Sequence, residues 1–210
     1  MNKIGILGSG PVGVSLAKGF IAEGHKVWLA TRDPESDKGR ELKQAVAGAV
    51  VCDFETAASN AEVAVLCVKW AGVKDALGAS GAKNLAGKVV IETSNLLTQH
   101  GDELIYAGGE TSGAEFVQDL LPDSQVVKAF NTVGAAMMYK PDFGDMHPTM
   151  FIAGDDKEAK TMVKEIVTAF GWEPLDAGSL IAARSLEPMA LVWIHQSMAT
   201  GSPHHAFKML

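Results

Sequence analysis

The chain has 210 residues, 47% of them hydrophobic and 20% charged, which suits an ordinary globular protein with one sizeable core. With 18 basic and 25 acidic residues the formal charge is −7, which argues against nucleic acid or an anionic membrane surface as the main partner. No apolar run approaches the roughly 18–20 residues of a membrane span.

The first apolar run, residues 4–7, leads at once into Gly8-Ser9-Gly10-Pro11-Val12-Gly13. A strand so close to the N-terminus leaves the expectation of no signal peptide and a cytoplasmic protein. Val12, Leu16 and Phe20 follow at the spacing of one helix face. A G-x-G-x-x-G string between a buried strand and a helix predicts a dinucleotide site. Gly8 makes the tight turn, Gly10 lets backbone amides approach a pyrophosphate, and Gly13 lets helix and strand pack closely. The helix N-terminus beyond it attracts the phosphates.

Gly24 ends this helix, and residues 26–30 form a second strand whose end reads Thr31-Arg32. An acidic residue there would accept from the ribose 2′-hydroxyl of NAD, whereas a hydroxyl and a guanidinium suit the 2′-phosphate of NADP. Lys38 adds a second positive charge. Asp33, before Pro34, is read as the N-cap of a helix running to about Gly48. Residues 49–52 form a third strand, 55–60 a short helix, 62–68 a fourth strand and 88–93 a fifth, with a helix across 73–85 between the last two. Unbroken apolar strands of this kind suit a parallel sheet covered on both faces. Cys52 and Cys67 lie inside such runs and read as buried, reduced thiols.

A nicotinamide ring belongs beyond the ends of the fourth and fifth strands. That puts Val68, Lys69 and Trp70 on one side of it and Ser94 and Asn95 on the other. Lys69 either contacts ribose or phosphate or reaches into solvent; Trp70 either walls the pocket or packs in the core. Ser112 and Glu115 have capping-box spacing, and residues 125–130 form a sixth strand. The stretch 132–148 reads as a long irregular loop of the kind that binds ligands. A strand at 149–153, a helix after Asp156 and an edge strand at 173–176 containing Pro174 complete the alternation. The sum is a doubly wound, mostly parallel Rossmann sheet, residues 1–178, with a helical appendage at 179–210 that is not a separate domain. Pro188 is expected to kink or restart the last helix. Leu186, Met189 and Trp193 form the stripe expected to pair two copies. His195, His204 and His205 lack metal-site spacing, so no metal is assigned.

The glycine turn, Thr31-Arg32, Lys128-Ala129-Phe130-Asn131-Thr132, Pro174-Leu175-Asp176-Ala177-Gly178 and the closing Phe207-Lys208-Met209-Leu210 together resemble the NADP-dependent coenzyme F420 reductase family. Residues 128–132 are also similar to the NADPH-binding domain of the six-transmembrane ferric reductases. The resemblance implies a homodimer that moves a hydride between NADPH and a deazaflavin or flavin-like acceptor. It implies Asn131 at the cofactor, and an acceptor pocket built from Thr132, Val133, Gly134, Met137 and the tail ending at Leu210. The deazaflavin-using members carry His where this chain has Asn131 and Pro where it has Gly134. The two cofactors are themselves donor and acceptor, so no side chain is assigned as catalytic. A small carbonyl or quinone acceptor, or an NADP-binding redox sensor without turnover, stays open beside this reading.

Overall fold

The computed structural model describes residues 2–210. Its elements are β1 (Lys3–Leu7), α1 (Pro11–Ala22), β2 (Lys26–Ala30), α2 (Asp37–Ala45), β3 (Ala49–Cys52), α3 (Phe54–Asn60), β4 (Val63–Leu66), α4 (Val73–Ser80), α5 (Ala82–Leu85) and β5 (Val89–Glu92). There follow β6 (Leu97–His100), β7 (Glu103–Tyr106), α6 (Gly113–Leu120), β8 (Gln125–Lys128), β9 (Thr149–Gly154), α7 (Lys157–Ala169), β10 (Glu173–Asp176) and α8 (Ala183–Thr200).

Eight strands make one sheet in the order β10-β9-β8-β5-β4-β1-β2-β3. All neighbours are parallel except β8 and β9. The order reverses between β1 and β4, which opens the crevice where such sheets bind ligands. The strands are apolar on both faces because both are covered. Ile4, Ile6, Val63 and Val65 face a core shared with Leu16 and Phe20 of α1 and with Val163 and Val167 of α7. Leu7, Ala64 and Leu66 face the opposite core, with Ala57 of α3, Leu77 of α4 and Val117 of α6. Phe170 joins α1 to the long loop, lying 4.8 Å from the Phe20 ring, 5.1 Å from Tyr139 and 5.8 Å from Phe130.

Several expectations are corrected. Asp33 does not cap α2. Its Oδ1 accepts from the amides of Glu35 and Ser36 in a turn around Pro34, and Ser36 is the N-cap, accepting from Gly39 N at 3.2 Å. The 73–85 helix is two, divided at Gly81, whose φ is +72°. Pro188 neither ends nor restarts α8, which runs uninterrupted from 183 to 200. Contacts made by Leu186 and Glu187 hold the turn through which it passes. The expected dimer stripe turns inward: Leu186 is buried with Phe151 and Ala153, and Met189 packs on the same cluster. An antiparallel hairpin, β6 with β7, occupies residues 97–106, where no element was expected.

Cys52 ends β3 and Cys67 lies just beyond β4, both buried. Burial pushes the Cys52 thiol up to about 11 and raises that of Cys67 further still. The thiolate is the reactive form. Neither cysteine is therefore expected to react with Ellman's reagent at neutral pH in the native protein. Both are expected to react in guanidinium, and a thiol titrated without denaturant contradicts this packing.

Candidate functional site

The glycine turn closes the C-terminal end of β1. Gly8 has φ +133°, and a Cβ there would lie 2.7 Å from the carbonyl oxygen of Cys67. A Cβ on Gly13 would lie 1.9 Å from the Gly8 carbonyl oxygen, so no other residue fits. Gly10, by contrast, faces open space. Ser9 is half-buried, and Pro11 is the first residue of α1, where its missing N–H costs nothing. No side chain caps α1, and its first turn carries no acidic residue. The amides of Val12 and Gly13 thus begin the helix beside an open space, the arrangement that binds phosphate.

At the end of β2, Thr31 is buried and donates its amide to Cys52 O at 2.9 Å, while Arg32 is exposed. Lys38 is exposed in the first turn of α2. The Asp33 carboxylate is taken by its own turn, and the exposed Asp37 and Glu35 are paired with Arg40 and Lys43.

Beyond β4, Val68 packs beside Gly8 and Lys69 is exposed. Trp70 belongs to the protein's packing: its ring meets Phe116 of α6 edge-on at 5.2 Å and lies over Gly113. Ser94 is likewise committed, donating its hydroxyl to Glu92. Asn95 remains at the site, paired reciprocally with Asn131. Asn95 Nδ2 donates to Asn131 O at 3.0 Å, and Asn131 Nδ2 donates to Asn95 Oδ1 at 2.9 Å. Asn131 Nδ2 also donates to Leu186 O at 2.8 Å, and a carbonyl acceptor there fixes which way the amide faces. Its Oδ1 is buried without a partner among the described residues. Such an atom costs stability unless something donates to it. The preceding residue, Phe130, sits at φ +60°, a strained conformation for a bulky side chain and of the sort concentrated at functional sites.

The loop after Asn131 divides. Thr132 is buried, and Val133 and Met137 join the main core, so Met137 does not line a pocket. Gly134 lies beneath Trp193: a Cβ there would come within 2.4 Å of the indole. Trp193 is held in place by His205. Their rings stack at 4.7 Å and 27°, Trp193 Nε1 donates to His205 O at 2.9 Å, and His205 Nε2 lies 2.9 Å from Trp193 O. A cavity of about 560 Å³ opens on this pair, lined also by Val192, His195, Ala206 and Phe207. The tail is strapped to the start of β9: Thr149 N donates to Phe207 O at 2.9 Å, and Met209 N donates to Thr149 Oγ1 at 3.0 Å. Leu210 points away, fully exposed, and covers nothing.

Sequence reasoning missed the group beneath this site. Lys128, Glu92 and Glu187 are all completely buried. Lys128 Nζ donates to Glu92 Oε2, to Ser94 O and, at 2.8 Å, to Glu187 Oε1. Glu187 accepts further from Leu96 N at 3.0 Å, Gly113 N at 3.1 Å and Ala114 N at 3.2 Å. The last two are the opening amides of α6, so a carboxylate of α8 fills the positive end of that helix. The available signal was a charged residue closing each of two apolar strands, Val89–Glu92 and Gln125–Lys128.

Comparison with known proteins agrees with this geometry. Residues 3–96 match the family described as NADP oxidoreductase, coenzyme F420-dependent. Metalloreductase STEAP3 of Rattus norvegicus is 36% identical over 190 residues, covering 90% of this chain and 36% of the relative. The chain thus spans about a third of the length of the metalloreductases it matches. The F420-dependent NADP reductase of Methanocaldococcus jannaschii is 29% identical over 218 residues, with 95% and 96% of the two chains covered. A crystal structure from Arthrobacter sp. FB24, provisionally described as an F420-dependent NADP reductase, is 31% identical over the whole of both chains with a TM-score of 0.92. This chain belongs to the F420-dependent NADP oxidoreductase family, a Rossmann family of oxidoreductases.

Proposed function

We propose that the protein binds NADP(H) and moves a hydride between it and a flat ring acceptor of the deazaflavin or flavin kind. The observation that carries the cofactor half is the uncapped start of α1 behind a turn that only glycine can make. Residues 8–13 would hold the pyrophosphate, and Arg32 and Lys38 the 2′-phosphate. Lys69 would lie beside the ribose, and Asn95 would orient Asn131. The unpartnered Asn131 Oδ1 would accept from the nicotinamide carboxamide or its ribose. When bound, the cofactor supplies the hydride; the chain's part is to hold the two rings together and keep water out.

For the acceptor, support comes from the whole-chain likeness to F420-dependent reductases and from the aromatic wall beside Gly134. Trp193 and His205 offer a flat face, held at its edges by hydrogen bonds, next to the loop that carries Asn131. A metal ion as final acceptor is the second reading, carried by the identity to the metalloreductases. A metal takes single electrons, so a ring carrier would have to divide the hydride's electron pair first. The homodimer implied by the family would use the outer face of α8, where Val192 and Met198 are 60% and 75% exposed. A cytoplasmic location belongs to the same reading.

Fluorescence titration should favour NADPH over NADH. Arg32→Glu should weaken NADPH by about 10–100-fold, the worth of one charged hydrogen-bonding contact, and leave NADH nearly unchanged. Gly13→Ala should abolish binding of both; equal native affinity for NADPH and NADH refutes the 2′-phosphate assignment.

With NADPH present, absorbance should report reduction of coenzyme F420 or FMN, and Trp193→Ala should raise the acceptor KM without changing the NADPH Kd. Ferric chelate reduced, with FMN present, faster than free reduced FMN reduces it would favour the metal reading instead.

Light scattering should give the mass of a dimer, and Met198→Lys should halve it. A native monomer refutes the pairing of two copies through α8.

A further inference from the structure

Oxidation of a dihydronicotinamide breaks one C–H bond, sends the hydrogen with both bonding electrons to the acceptor, and leaves one positive charge on the ring. Any fixed charge buried near that ring therefore favours one redox state over the other. The ends of β5 and β8 carry such a charge. Glu92, Lys128 and Glu187 have formal charges of −1, +1 and −1, and all three are completely buried. The sum is one net negative charge that water does not reach.

The neighbours do not cancel it. Ser94 contributes a hydroxyl, an amide and a carbonyl. Leu96, Gly113 and Ala114 contribute neutral amides, the last two bringing only the partial positive charge of the α6 N-terminus. The next pair outward, Arg184 with Glu115, is self-neutralising, with guanidinium nitrogens at 2.6–3.1 Å from the carboxylate. Lys69 is exposed, where solvent and salt screen it. The cluster also adjoins the residues assigned to the nicotinamide. Ser94, whose carbonyl Lys128 holds, precedes Asn95, and Leu186, whose carbonyl Asn131 holds, precedes Glu187.

We infer that the buried Glu92–Lys128–Glu187 triad biases the nicotinamide site toward the oxidised, cationic cofactor, so that the equilibrium within the site is shifted toward hydride donation from bound NADPH. The inference rests on the cofactor reading above and adds the direction of this shift. The same negative charge that holds NADP+ more tightly makes bound NADPH the stronger hydride donor.

Equilibrium binding tests this without turnover. The native protein, titrated separately with NADP+ and NADPH, is expected to bind NADP+ more tightly. Glu187→Gln and Glu92→Gln each remove one negative charge and should lower the ratio of NADP+ to NADPH affinity by about three- to tenfold, the scale of one unit charge at an effective dielectric near 20. The double variant Glu92→Gln/Lys128→Met keeps the net charge at −1 while disrupting the cluster, and should retain the native ratio. A merely structural role would weaken both forms alike in all three variants. Tighter native binding of NADPH overturns the inference even where no variant folds, and so does a ratio unmoved by Glu187→Gln. If neither form binds, the cofactor reading falls and takes this inference with it.

Discussion

One buried ammonium group holds the centre of this protein. Lys128 ends β8 and bonds to Glu92 of β5, to Glu187 of α8 and to the carbonyl of Ser94. Dehydrating three ions costs several kcal/mol each, which only close pairing and further hydrogen bonds offset. Here the further bonds come from Ser94 and from the opening amides of α6. Losing one partner of such a group costs about 3–5 kcal/mol, a large part of the roughly 5–15 kcal/mol that holds a typical protein folded. The last helix is therefore part of the sheet's own architecture.

Orientation matters because the two ends of the candidate site are built by different means. The glycine turn is set by its backbone: Gly8 and Gly13 leave no room for a Cβ, and the helix start is left uncapped. Its geometry needs no support beyond the strand below. The other end depends on side-chain amides, which have no such guarantee. Asn131 is aimed by Asn95 on one side and by Leu186 on the other, after a backbone twist at Phe130 that the local chain does not favour. Lys128 and Glu187 fix the segments that bear both supports. The triad is thus the stiff mounting for the part of the site that could otherwise shift.

The strands were legible because a parallel sheet covered on both faces demands uninterrupted apolar runs, and few other arrangements of a chain produce them. The glycine turn was legible for a similar reason, since its constraint is steric and local. What failed to show was anything set by tertiary partners. Ser36 and Asp33 are both good caps, and only the turn around Pro34 decides between them. The hairpin of β6 and β7 is largely exposed, so burial wrote no pattern into it. Nothing in the sequence singled out Glu92 and Lys128 as a pair, because their mutual pairing and the arrival of Glu187 from a distant helix are invisible locally. Met137 was expected at the acceptor but packs in the core, and Trp70, open between pocket wall and packing, meets Phe116, for composition does not say which way a side chain faces.

The aromatic wall differs in kind from the glycine turn. Trp193 occupies the space that any side chain at position 134 would need. The two positions are 59 residues apart in sequence yet sterically coupled, so each limits what the other can be. A proline at 134 requires the indole to move, and moving the indole releases His205 and the tail bonded behind it. The region beside Asn131 is therefore a linked set of loop, helix and tail, adjustable together without altering a strand. The glycine turn allows no such adjustment, since its contacts are backbone against backbone. One frame of strands and glycine turn can thus stay fixed while the surface shaped by residues 134, 193 and 205 changes.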